Sequence, residues 1–256
     1  MPAVYRRPVF VFGHVPNMTQ LKATPDVFRA FCDGKHCTLD VRTGAGKTAV
    51  VIAAGVAALQ WLPAGGRLVL SSRTWLQVIR FYETMRRLHP DIDTILLGSR
   101  ENLCLDSRVK RAGQAAGDAC HDKCMNNGCQ FEKRAADLSS VVQAANSGST
   151  PVGDMEDMLA LARRRDNRCC PYYGGGLAVQ SAQRAQRICV ICATTTMVLN
   201  DSIAAAHNLK FGAQDSRAVR GGFPAALCSS LSVVVVALYA DGVHLESAPV
   251  TSSLTS

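Results

Sequence analysis

Two groups of residues in this sequence have the types and spacing to do chemistry. The first is Thr43-Gly44-Ala45-Gly46-Lys47-Thr48, preceded by Val41 and Arg42. Glycines at 44 and 46 let a backbone approach oxyanions with no Cβ in the way. A lysine at 47 can reach the β- and γ-phosphates of a nucleotide, and the Thr48 hydroxyl can bind Mg²⁺. The apolar, alanine-rich run from Ala49 to Leu62 that follows suits a buried helix. A helix there would aim its unpaired N–H groups and positive dipole end at the phosphates. The strict pattern asks for glycine at position 41, where this chain has Val41.

The second group is the cysteines. There are eleven, an odd number. Met1 to Gly13 carries Arg6 and Arg7 but no long apolar core or small-residue cleavage site, so a secretory signal and a disulfide framework are not expected. Cys104, Cys120, Cys124, Cys129, Cys169 and Cys170 gather in one stretch. Soft thiolates favour zinc or an iron–sulfur cluster. Cys120 and Cys124 fit a zinc pair loosely, while Cys104 and Cys170 lie far from them in sequence. Spacing alone leaves zinc, a cluster and unligated thiols all open. Cys189 and Cys192, inside an apolar run, read as small buried hydrophobes.

The elements that must position these groups read as an α/β fold. Candidate strands are 37–41, 67–72, 94–97, 188–192 and 232–236, and candidate helices are 49–62 and 75–88. The second helix would place Val78, Phe81, Met85 and Leu88 on one face. Thr24 with Pro25 behind it suits a helix start, and Asp154 opens a helix with an acidic first turn and arginines at 163–165 near its end. Strands alternating with helices predict a mostly parallel sheet covered on both faces, with ligands at the strands' carboxyl ends. Arg73 and Arg100 fall there, with the glycine loop. Residues 139–153 read as a loose connection and 248–256 as a polar tail. The longest apolar stretch is too short to span a bilayer, so the chain is expected to be soluble and intracellular. The net charge of +8 suits a polyanion partner such as nucleic acid. Gln20, taken alone, reads as a surface amide.

Several motifs nevertheless stand in one order over roughly residues 9–247, and together they resemble the iron–sulfur branch of superfamily 2 DNA helicases. Within it the sequence is most similar to the regulators of telomere elongation and the nucleotide-excision-repair helicases. The residues that carry this are Phe12 to Gln20, Val41 to Thr48, Ser72-Arg73-Thr74-Trp75-Leu76-Gln77, Leu97-Gly98-Ser99-Arg100-Glu101-Asn102-Leu103-Cys104, Asp154 to Asp157 and Cys170-Pro171-Tyr172-Tyr173. The resemblance implies a RecA-like phosphate-loop domain interrupted by a cysteine-rich insertion. Its expected parts are 1–98 and 174–247 for the RecA-like domain, 99–173 for the insertion and 248–256 for the tail. It implies ATP and Mg²⁺ on Gln20, Thr43, Gly44, Ala45, Gly46, Lys47 and Thr48, with Gln20 as an adenine-reading amide. It implies a 4Fe–4S cluster on Cys104, Cys120, Cys129 and Cys170, with Cys124 as the alternative to Cys120. It implies DNA along Arg73 and Thr74, and a nuclear location.

Two departures bear on turnover. The family places Asp-Glu-Ala-His directly after a valine-rich strand. Here the strand is followed by Ala237-Leu238-Tyr239-Ala240-Asp241-Gly242-Val243-His244, which keeps only Asp241 in either register. Asp241 is therefore the remaining candidate for the magnesium- or water-positioning carboxylate. The family also uses a second RecA-like domain that supplies an arginine finger, and only the N-terminal half is represented here. The expected function is an ATP-dependent DNA helicase motor weakened in hydrolysis. The alternatives are a non-catalytic nucleotide- and DNA-binding module and a zinc-stabilised binding domain.

Overall fold

A computed structural model describes residues 8–33, 37–40, 42, 44–62, 64–146, 154–207, 209 and 234–239. Helix α1 (Met18–Cys32) starts at Asn17, not at Thr24. Asn17 and Gln20 form a reciprocal capping box, which satisfies two orphan N–H groups at once and outweighs the preference of Pro25 for a first turn. Pro25 lies inside the helix instead, and the Thr24 hydroxyl donates to the Gln20 carbonyl at 2.7 Å. The strand expected before the glycine loop does not form among the described residues; Thr38 makes only an isolated bridge.

Helix α2 (Lys47–Leu59) is buried from Val50 to Leu59, as its apolar composition requires. A short turn then leads from the end of α2 into the first residue of β1 (Arg67–Ser72). Helix α3 (Trp75–Leu88) buries Val78, Phe81, Tyr82 and Met85, and leads to β2 (Asp93–Leu96).

Short pieces follow: α4 (Arg100–Leu103), α5 (Ser107–Arg111), α6 (Ala116–Asp122) and a wide π turn over Lys123–Asn127. Helix α7 (Leu138–Asn146) occupies part of the stretch read as a loose connection. Helix α8 (Met155–Arg163) is capped by Asp154, whose carboxylate accepts from the Asp157 N–H at 2.8 Å. Helix α9 (Pro171–Arg184) has proline in its first turn and leads to β3 (Cys189–Thr194). Helices α10 (Thr195–Leu199) and α11 (Asp201–Ala206) come next, and β4 (Val234–Tyr239) completes the sheet.

The strand order is β2-β3-β1-β4. Strands β2, β3 and β1 are parallel, so the expected α/β class with a mostly parallel sheet is what the chain adopts. The departure is β4, which pairs antiparallel with β1, Val234 opposite Ser72 and Tyr239 opposite Arg67.

Helix α9 packs with almost no side-chain layer between it and its neighbours. A Cβ on Gly174 would stand 2.7 Å from Leu138 and 2.8 Å from the Ala135 carbonyl. One on Gly175 would stand 2.8 Å from Leu97 and 3.0 Å from the Leu96 carbonyl, and one on Gly176 would stand 3.3 Å from His207. The short segments around 131–138, the sheet and the residue after α11 thus all rest on one glycine run.

Candidate nucleotide and thiol sites

The glycine loop takes its shape from two left-handed residues, Gly44 at φ +88° and Gly46 at φ +83°. Gly46 is the N-cap of α2 and offers no side chain, which leaves the first N–H groups of a buried helix open for an anion. Lys47 folds its ammonium back onto the Arg42 carbonyl at 3.2 Å, and Thr48 is exposed beside it. Val41, Thr43 and Asp241 lie outside the described residues.

Gln20 is no surface amide; it is 1% exposed and turned onto the loop. Its Oε1 accepts from the Asn17 N–H at 2.9 Å, with His14 Nε2 at 3.2 Å, and its Nε2 donates to the Gly46 carbonyl at 3.4 Å. Asn17 Nδ2 donates to the Ala45 carbonyl at 3.4 Å. Sequence reasoning missed His14 and Asn17. The Asn17-x-x-Gln20 spacing is a capping-box signature that could have shown the second of them.

At the carboxyl end of β1, Arg73 and Thr74 are both exposed, and Thr74 is the N-cap of α3. Behind them Ser71 donates to Thr195 Oγ1 at 3.2 Å, and Ser72 hydrogen-bonds Gln77. Two fully buried serine hydroxyls are thereby satisfied, and the starts of α3 and α10 are tied to the strand they flank.

The cysteines of three separate stretches meet. Cys104 lies close enough to Cys120 and Cys129 to feel their charge, and Cys170 stands in the same relation to Cys104 and Cys129. Cys124 is within the same reach of Cys120 and Cys129 and hydrogen-bonds Cys120. Burial first, and the neighbouring thiols after it, push Cys104 up and Cys170 and Cys124 up to about 12. Metal coordination is what would deprotonate such desolvated thiols. Cys169, beside Cys170 in sequence, instead faces Arg134 and Asp137. Among the described residues no three acidic, histidine or cysteine side chains are drawn tightly enough for a single ion, and all ten cysteines are free. Cys189 and Cys192 are fully buried in β3, and burial raises both.

Beside the thiols, the Arg100 guanidinium lies 4.3 Å from the Tyr172 ring and 5.8 Å from the Tyr173 ring. His207 also meets Tyr172, edge-on at 4.9 Å. This stack joins α4, α9 and the end of α11; no sequence signal marks His207 as its third member.

A mostly parallel sheet with a glycine loop at the start of α2 defines a RecA-like α/β domain. The sequence model of the DEAD_2 family matches residues 70–216, more than half of the chain, and the chain belongs to that family. It is 31% identical over 138 residues to the human ATP-dependent DNA helicase DDX11, a match covering 46% of this chain and 14% of that protein. It is 32% identical over 120 residues to the ATP-dependent DNA helicase CHL1 of Candida albicans, covering 42% and 14%. It is 27% identical over 109 residues to the human regulator of telomere elongation helicase 1, covering 42% and 8%. The chain thus matches about one seventh or less of the length of these relatives. No helix among the described residues is long and apolar enough to cross a membrane.

Proposed function

We propose that this chain is the N-terminal, ATP-binding half of an ATP-dependent DNA helicase motor, acting in the nucleus, with residues 99–173 as a cluster-bearing insertion. ATP and Mg²⁺ would bind on Thr43, Gly44, Ala45, Gly46, Lys47 and Thr48 at the amino end of α2. DNA phosphates would run past Arg73 and Thr74, where the net positive charge of +8 favours a polyanion. Cys104, Cys120, Cys129 and Cys170 would hold a 4Fe–4S cluster.

The observation that carries this reading is the meeting of thiols from α4, α6 and the start of α9 in one buried set, in a member of a family whose relatives are named as DNA helicases. A cluster spreads its thiolates over separate irons, so its ligands stand farther apart than those of one ion. Cys120, which is buried and reaches Cys104, fits the fourth position better than the half-buried Cys124. The cluster would supply a covalent tie among four thiolates. The protein's own part is to bring them together and exclude water.

A second reading, a nucleotide- and DNA-binding module without turnover, is favoured by the sequence after β4, which keeps only Asp241 of the family's carboxylate pair. The test is DNA-stimulated ATP hydrolysis by the purified chain beside Lys47→Ala. We expect ATP and DNA binding, hydrolysis at most very slow, and no strand separation. Fast hydrolysis abolished by Lys47→Ala would favour the full motor over the module. Failure to bind ATP or DNA would sink both.

A further inference from the structure

Six cysteines lie between residues 104 and 170, and a cluster held by four of them leaves two over. The two differ. Cys169 is fully buried and faces Arg134 and Asp137. Cys124 lies at the thiol set itself. It reaches Cys120 and Cys129, and its thiol hydrogen-bonds that of Cys120. The apolar packing agrees. Cys104 and Cys120 belong to the small cluster around Val109 and Ala116, whereas Cys129 and Cys170 belong to the main core. Cys124 packs against both, so it stands on the seam between the two pairs of thiols.

This placement follows from the helix that carries it. Helix α6 (Ala116–Asp122) passes into the π turn over Lys123–Asn127 without a break. Four residues of an α-helix turn through about 400°, so the fourth lies about 40° past the first. The wider π turn advances less per residue and trims that offset. Cys120 and Cys124 therefore share one face. Lys123 forms an ion pair with Asp106, the N-cap of α5, which ties the π turn to the segment just after Cys104. Cys120 is 7% exposed, whereas Cys124 is only half-buried. A thiol so placed meets solvent on one side and its buried neighbour on the other.

We propose that Cys124 is a reserve ligand, a fifth thiol paired with Cys120 that takes over its place when Cys120 lets go. This rests on the cluster reading of residues 99–173. The exchange is a ligand substitution. The Cys124 thiol gives its proton to water and forms a sulfur–iron bond. The Cys120 sulfur–iron bond breaks, that sulfur takes up a proton, and no electron moves. A second thiol held beside the first has a high effective concentration, so recapture outruns loss. The test is iron content of the anaerobically purified full chain, with iodoacetamide alkylation mapped by peptide mass. The parent should carry about four irons, with Cys124 alkylated and Cys104, Cys120, Cys129 and Cys170 protected. Cys120→Ala should keep about four irons, and Cys124 should become protected. Cys124→Ala should keep its iron but lose it severalfold faster to an iron chelator. The double variant should lose its iron outright. Loss of iron from Cys120→Ala alone, beside a loaded parent, would overturn the proposal and leave the cluster standing. So would continued alkylation of Cys124 in a loaded Cys120→Ala, a Cys124→Ala chain without iron, or a double variant that keeps it. Should Cys120→Ala not fold, the chelator rates of the parent and Cys124→Ala decide, equal rates overturning the proposal. A parent that holds zinc, or no metal at all, would overturn the cluster reading and the proposal with it.

Discussion

Between Asn17 and Leu59 the candidate nucleotide site is held by backbone and amide hydrogen bonds on two long, well-packed helices. Between Arg100 and Cys170 the candidate thiol site is held by something else. Helices α4, α5 and α6 have four, five and seven residues, far below the length at which a helix sustains itself. The small apolar cluster they share consists of Cys104, Val109, Ala116 and Cys120, so half of its buried members are thiols. The first site is preformed by local geometry, while the second, which shares the main core through Leu103, Leu105 and Phe131, would under the proposed reading also depend on the group that ties its cysteines. Removing a ligand should therefore cost the first site its function and the second its structure.

The largest effect should come from cutting that tie. Anaerobically purified protein should be brown and carry about four irons per chain, as a Cys₄ cluster requires. Cys104→Ser or Cys170→Ser should abolish the colour and expose residues 99–173 to limited proteolysis, while ATP binding persists. Cys192→Ser should keep the colour. Stoichiometric zinc without iron would defeat the cluster and leave the contrast between the two sites intact.

Acid should separate the regions next. Burial first, and Arg100 second, push His207 down to about 4. Its ordinary value is about 6.5, so between the two the unfolded chain holds a proton that the folded chain does not. Stability should be full above about pH 6.5 and fall toward pH 4, by at most about 3 kcal/mol for this one group. Denaturant unfolding at pH 7 and pH 5 should show a smaller drop in His207→Phe than in the parent. Equal drops would mean that His207 is not the group that titrates.

Lys47→Ala should lower ATP affinity by about 10–100-fold, the range for a lost charged hydrogen bond of about 1.5–3 kcal/mol, and leave any iron in place. Equal ATP affinity by calorimetry would remove the phosphate-loop assignment. The smallest effect should be that of Gly174→Ala, which forces a methyl against Leu138 and the Ala135 carbonyl and should destabilise the chain by about 1–3 kcal/mol. Thermal melting followed by aromatic fluorescence would register it.

Much of this was legible in the chain. Strand β1 and helix α3 have the limits that their patterns predict, because a valine–leucine run and a one-sided apolar stripe are strong local signals. Asp154 caps its helix for the same local reason. Where the reading fell short, the deciding contact was elsewhere. The start of α1 follows the pairing of Asn17 with Gln20 and not the rule for Pro25. The burial of Gln20 follows from a loop 26 residues away. The direction of β4 leaves no trace in its own valines, since a strand reads alike in either orientation. The thiols meet through tertiary packing, which spacing alone could not separate from zinc or from free cysteine.

The glycine run of α9 bears on how the two regions communicate. Successive residues of a helix turn by about 100° around its axis, so three in a row face three directions. Here those directions hold Leu138 and Ala135, then Leu96 and Leu97, then His207. Ordinary helix contacts include flexible side chains that can absorb a small displacement by changing rotamer. Here the helix side of each contact is bare backbone, so the side chains that can give are those of Leu138 and Leu97 across from it. The spacing between α9, the segment around Leu138 and the end of the sheet is therefore set by two leucines, and a larger residue at 174 or 175 would press directly on them.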